Sequence, residues 1–196
     1  MVMLESFLSA AINSWNRGEY APALANAFTI CDSLAARYYA GKRNKRRMML
    51  LFREIRDYLF YFNPKIKIIC GGEVKLSLNS SGKGKTFEEW LYGVRCSLLH
   101  EASFGEHVDF VDEDIFGIRC GRFVLQKKII LSIILSLICC KDFDGVSLDD
   151  DPVLFYGSPP ELAVRVNSFM GDPQGLLHHI GKYEKWPFLK EMFPGQ

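Results

Sequence analysis

Two residues that could do chemistry lie five apart in one apolar run. In Leu91-Tyr92-Gly93-Val94-Arg95-Cys96-Ser97-Leu98-Leu99-His100-Glu101, Arg95 and His100 are set among Leu, Val and Cys. Arginine is a permanent cation with a fork of donors that matches phosphate. Histidine gains or loses a proton near neutral pH. Together they are the minimal kit for cleaving a phosphodiester without a metal, one group for charge and one for proton transfer.

A plainer role exists for each. Arg95 could pair with Glu88, Glu89 or Glu101 on neighbouring turns. His100 could cap a helix C-terminus, where an imidazolium suits the dipole. Spacing also limits what one copy can do. On an ideal helix, residues five apart diverge by about 140° and rise about 7.5 Å. One Arg95–His100 pair converges only if the helix frays before His100, and Gly105 makes an early stop plausible. A second copy across a two-fold axis would complete the site without fraying.

The elements that must position this pair are legible from periodicity. Leu4, Phe7, Leu8, Ala11, Ile12 and Trp15 form a helical stripe ended by Asn16-Arg17-Gly18. Tyr20 to Ala40 reads as a second helix, with Pro22 in its first turn, Gly41 as its stop, and Leu24, Phe28, Cys31, Leu34 and Tyr38 on one face. So short a connection makes the two antiparallel. A third helix runs from about Lys45 to Phe62 and halts at Asn63-Pro64. Thr86-Phe87-Glu88-Glu89 has capping-box spacing and starts a helix that carries Arg95. Alternation on either side of Gly71-Gly72 predicts a hairpin from Lys65–Cys70 and Glu73–Leu78, and a second is expected around 117–124. Leu125 to Cys140 is a core helix. Its apolar run is twelve residues, where a bilayer needs roughly twenty. An acidic, loop-like stretch follows. Ser158-Pro159-Pro160 then predicts a helix through Met170, and Asp172-Pro173 another.

Composition sets the frame. The chain has 196 residues, long enough for one domain with a core and short for two, so a single domain over 1–196 is expected. Apolar residues at 48% and charged residues at 24% argue against a disordered or fibrous chain. With a net charge of +1, nucleic-acid binding would need local patches. The first residues, Met1 to Leu8, lack a basic leader, so no export signal is expected. The six cysteines include no C-x-x-C pair and are read as reduced cytosolic thiols, several of them buried. Cys96 reads as a small filler rather than a nucleophile. His107, His178 and His179 lack ligand spacing, and no metal or cofactor is expected.

The motif resembles the HEPN superfamily of small helical-bundle proteins, whose signature is R-x4-6-H at the end of a bundle helix. The nearer likeness is to bacterial and plasmid-borne members with a tyrosine, then Arg-Cys, a leucine pair and His-Glu, here Tyr92, Arg95, Cys96, Leu98, Leu99, His100 and Glu101. Ala21 to Ala36 is similar to that family's alanine-rich second helix, ending near Asp32. The likeness covers about residues 4–140, leaving 141–196 as a helical extension without a counterpart. Many nucleolytic members have Asn, Asp or His after the arginine, where this chain has Cys96.

The resemblance implies a mainly α antiparallel bundle with one or two small β-hairpin additions. It further implies a metal-independent endoribonuclease, a homodimer with Arg95 and His100 catalytic and Tyr92, Cys96 and Glu101 in support. A role in defence or a toxin–antitoxin pair, with an antitoxin or nucleotidyltransferase as partner, follows from the same likeness. Within that reading Arg43, Lys45, Arg46 and Arg47, with Lys83 and Lys85, are candidate RNA contacts. Their plainer role is a solvated loop and first helical turn. The alternative function is a non-catalytic HEPN-type RNA- or nucleotide-binding module. A third reading takes Asn79 to Thr86, ending in Gly-Lys-Thr, as a P-loop phosphotransferase. Asn79 replaces the first glycine, however, and no βαβ alternation follows.

Overall fold

A computed structural model describes residues 2–62, 67–69, 76–77, 85–100, 107–113, 115–155 and 163–183. The chain forms two compact units, Met1–Leu137 and Ile138–Gln196. The described residues are mainly helical, with small sheets.

In the first unit, α1 (Val2–Asn16) and α2 (Tyr20–Tyr38) are joined by a three-residue bend. Gly18 takes the left-handed conformation there, with φ +74°. The Trp15 and Tyr20 rings meet edge to face across the bend, centroids 5.6 Å apart. The predicted stripes are buried at Leu4, Leu8, Ala11 and Ile12 on α1 and at Leu24, Phe28, Cys31 and Leu34 on α2. Tyr38 departs from that reading: the last residue of α2 is 43% exposed. Helix α3 (Asn44–Phe62) packs Phe52 against Phe28, ring centroids 5.9 Å apart.

Helix α4 (Phe87–His100) begins with the capping box expected for it. The Glu89 N–H donates to Thr86 Oγ1 at 3.2 Å, and the Thr86 N–H donates to Glu89 Oε2 at 3.1 Å. One side of α4 lies on a four-stranded sheet of order β1 (Lys67–Ile69), β5 (Ile115–Arg119), β6 (Arg122–Gln126), β4 (Val108–Val111). Trp90 is fully buried, and its Nε1–H donates to the Gly117 carbonyl at 3.0 Å. Phe87 and Trp90 both contact the Phe116 ring, with centroids 5.2 and 5.0 Å away. Gly93 lets the sheet approach closely, since a Cβ there would sit 2.9 Å from Phe123 Cζ.

β5 and β6 form the hairpin expected at 117–124, turning at Cys120-Gly121 with positive φ at both residues. The hairpin predicted around Gly71-Gly72 is corrected by the pairing. Lys67–Ile69 runs parallel to Ile115–Gly117, and Leu76–Ser77 (β2) runs parallel to Lys85–Thr86 (β3). β5 pairs with Lys67–Ile69 and β3 with Leu76–Ser77, each in place of the neighbour across Gly71-Gly72, and parallel pairing has no local turn signal. Val108–Val111 also joins the sheet, parallel to β6. The core helix α5 (Lys127–Ile138) follows, with Ile130, Ile133, Ile134 and Leu137 fully buried. Among the described residues no helix is long and apolar enough to cross a membrane.

In the second unit β7 (Val153–Phe155) pairs antiparallel with β8 (Ala163–Arg165), and α6 (Pro173–Tyr183) closes it. The helix expected to reach Met170 is therefore corrected: Ala163–Arg165 is a strand and Val166–Phe169 a 3₁₀ turn. Ala-Val-Arg-Val alternates, and with Val164 and Val166 buried the run prefers the pleat beside Val153–Phe155. The Asp172-Pro173 start holds, with Asp172 Oδ1 accepting from the Gly175 N–H at 2.9 Å.

Candidate functional site around Arg95

Helix α4 turns two charged residues, one heptad apart, toward α2 and α3. Seven residues is nearly two whole turns, so Glu88 and Arg95 share a face about 10.5 Å apart along the axis. Glu88 is buried and accepts from Arg56 of α3 at 3.0 Å. Arg95 is 5% exposed, and its Nη2 donates to Asp32 Oδ2 of α2. Two of the salt-bridge partners expected for Arg95, Glu88 and Glu89, are engaged elsewhere. Glu88 belongs to Arg56, and Glu89 to the helix cap and to Lys45 at 3.7 Å. Glu101 lies outside the described residues.

The Arg95 guanidinium has further neighbours on α4. Its Nη1 points at Cys96 Sγ, 4.0 Å away, and its Cζ lies 6.0 Å from the Tyr92 ring centroid. Tyr92 and Cys96 are half-buried, so they border the cation where the helix meets its surroundings. Burial works against the Arg95 charge. The hydrogen bond and charge of Asp32 outweigh it and leave the guanidinium pKa above its ordinary value. Burial likewise raises the Tyr92 pKa, and hydrogen bonding to Cys96 adds to the rise. Three of the named residues, Tyr92, Arg95 and Cys96, are thus brought together by one helix.

His100 is the last residue of α4, and the backbone is helical through it. The helix does not end before His100, so its Cα stays about 140° around the axis from that of Arg95. Its side chain lies outside the described residues.

The basic run falls on the loop and first turn of α3. Arg43, Lys45 and Arg46 are exposed, while Arg47 is half-buried with a buried Nε that has no hydrogen-bond partner among the described residues. Lys45 reaches Glu89, which places the run beside the start of α4. From Glu89 to His100 is eleven residues, about 16 Å of helix. Lys83 and most of the P-loop-like stretch lie outside the described residues. Lys85 lies in β3, and its side chain is likewise not described. The Thr86 hydroxyl, which a P-loop would place on magnesium, is occupied by the Glu89 N–H.

Asp32 is the residue that chain-wise reading left without a role at the site. A signal was present: Asp32 lies four residues after Phe28 and eight after Leu24, so it sits at the edge of the apolar stripe of α2. A carboxylate at such an edge calls for a cation from whichever element covers the stripe. Cys31 and Cys139 are buried, Cys120 is exposed, and burial pushes the Cys139 thiol well up. His179 packs on the Phe169 ring, centroids 5.0 Å apart. Among the described residues no group of three or more His, Cys, Asp or Glu is placed to hold a metal ion. Comparisons of the chain with family models, with curated proteins and with solved structures each return no match.

Proposed function

We propose that the protein is a metal-independent endoribonuclease of HEPN type, acting as a homodimer with Arg95 and His100 as its reacting pair. The observation that carries this reading is the buried Arg95 cation, bonded to Asp32 of α2 and borne on the helix that ends in His100. His100 takes the proton from a ribose 2′-hydroxyl, whose oxygen attacks the adjacent phosphorus. Arg95 stabilises the charge that grows on the non-bridging oxygens. The bond to the 5′-oxygen breaks, an imidazolium returns the proton to that oxygen, and the product carries a 2′,3′-cyclic phosphate. DNA has no 2′-hydroxyl and does not react. Since Arg95 and His100 diverge along one helix, the reading places one of each, from opposite protomers, at each site.

A second reading has its own support. At 5% exposure, with one arm on Asp32, Arg95 has the burial of a structural cation. That favours a non-catalytic HEPN-type module, which binds RNA through the exposed run at Arg43, Lys45 and Arg46. Incubation of the protein with a mixed-sequence RNA in excess chelator separates the two. The nuclease reading expects chelator-resistant cleavage, cyclic-phosphate ends, and loss of both in Arg95→Ala and His100→Ala. Binding without cleavage selects the module. Cleavage abolished by EDTA and restored by magnesium selects a metal nuclease.

A further inference from the structure

We infer that Asp32 is the positioning residue of the candidate nuclease site, fixing the guanidinium of Arg95 before substrate arrives. The inference rests on the nuclease reading above and adds a residue from a different helix. Three observations combine. The carboxylate is on α2 and the cation on α4, so the bond ties two elements rather than neighbours on one helix. Arg95 is almost wholly buried, whereas the Asp32 side chain is 23% exposed, so the pair lies at the rim of the helix packing. Asp32 Oδ2 takes one arm of the fork, and Nη1 is turned along α4 toward Cys96.

A free arginine side chain has many rotamers, and phosphate would have to overcome that entropy on each binding event. A charge-assisted bond from a neighbouring helix removes most of that freedom in advance. The donors are then aimed before the phosphate charge develops, as electrostatic preorganisation requires. Asp32 acts through Arg95, to which its Oδ2 is bonded. Its other oxygen, Oδ1, is buried with no hydrogen-bond partner among the described residues, so it is shielded from a ligand in solution. The alternative geometry, in which Asp32 blocks Arg95 and must be displaced, makes the opposite forecast for a neutral replacement.

The test compares wild type, Asp32→Asn and Asp32→Glu in the chelator-resistant RNA cleavage assay, with folding checked by circular dichroism. Asp32→Asn should lower kcat by about 10- to 100-fold, with KM unchanged or lower because the site loses a negative charge. Asp32→Glu keeps the charge and should recover part of kcat. A second readout is the side-chain ¹⁵N spectrum of Arg95. Rotation about its Nε–Cζ bond should be slow in wild type and fast in Asp32→Asn, and it can be read even if that variant is partly destabilised. Unchanged or raised kcat in Asp32→Asn overturns the positioning role, as does a guanidinium that rotates equally fast in both proteins. A wild type that cleaves no RNA overturns the reaction itself, and this is distinct from an active wild type indifferent to Asp32.

Discussion

Removing the Asp32 carboxylate should destabilise the first unit more than most single substitutions do. Asp32→Ala takes the Asp32 carboxylate away from Arg95, which is 5% exposed. Breaking a buried ion pair by deleting one partner costs about 3–5 kcal/mol. Asp32 itself is 23% exposed, so water reaches the pair, and we take the lower end, about 3 kcal/mol. For a chain of this size that is a fall in Tm of about 6–12 °C. Arg95→Met should cost less, about 1–2 kcal/mol, because the carboxylate left behind can turn to water. The double variant Asp32→Ala/Arg95→Met removes both charges and should lie within about 1 kcal/mol of wild type. Urea unfolding followed by tryptophan fluorescence reads all four proteins, since Trp90 is fully buried against the sheet. The cycle should show a coupling of about 3 kcal/mol or more. A loss below about 0.5 kcal/mol in Asp32→Ala would show that Asp32 does not support the buried cation, and would remove the basis for treating the pair as built.

Further expectations follow from other contacts. At Gly93, alanine gains about 1 kcal/mol of helix propensity and loses a similar amount in displacing Phe123, so Gly93→Ala should be near neutral. Gly93→Leu cannot fit and should cost about 3 kcal/mol in the same denaturation assay. Burial and the Glu54 hydrogen bond raise the Tyr39 phenol to about 12. The unfolded phenol loses its proton first, so this contribution to stability is whole below about pH 10 and fades as pH rises through the folded value. Ultraviolet titration should show a late phenol near pH 12 that is lost in Tyr39→Phe and shifted down in Glu54→Gln. Replacing Arg43, Lys45, Arg46 and Arg47 with alanine should weaken RNA binding and flatten its salt dependence, with single-turnover cleavage at saturating RNA little changed. Unaltered binding would mean that the run is only a solvated helix start.

What could be read along the chain was what local patterning determines. The capping box at Thr86–Glu89, the bend at Gly18, the Cys120-Gly121 hairpin and the Asp172-Pro173 helix start each carry their signal within a few residues, and each is present. The missed features depend on partners far away in sequence. Lys67–Ile69 finds its strand at Ile115–Gly117, and Val108–Val111 finds one at Phe123–Gln126, in parallel pairings that leave no turn behind. Ser158-Pro159-Pro160 suggested a helix, but the alternating Ala163-Val164-Arg165 run paired with Val153–Phe155 instead. At the site, the placement of Arg95 on a capped helix was legible, whereas its ion partner was not. Intrahelical spacing pointed to Glu88, which α3 claims through Arg56, while Asp32 waited on α2, sixty-three positions upstream.

The most direct test of the composite Arg95–His100 site is complementation between two inactive proteins. Arg95→Ala and His100→Ala are purified separately, mixed, allowed to exchange subunits, and assayed for chelator-resistant RNA cleavage. If each site takes Arg95 from one protomer and His100 from the other, every mixed dimer holds one intact site. Random exchange makes about half of the dimers mixed, each with one of two sites, so about a quarter of wild-type activity should return. A mixture as inactive as its components, while wild type cleaves and subunits demonstrably exchange, would contradict the shared site.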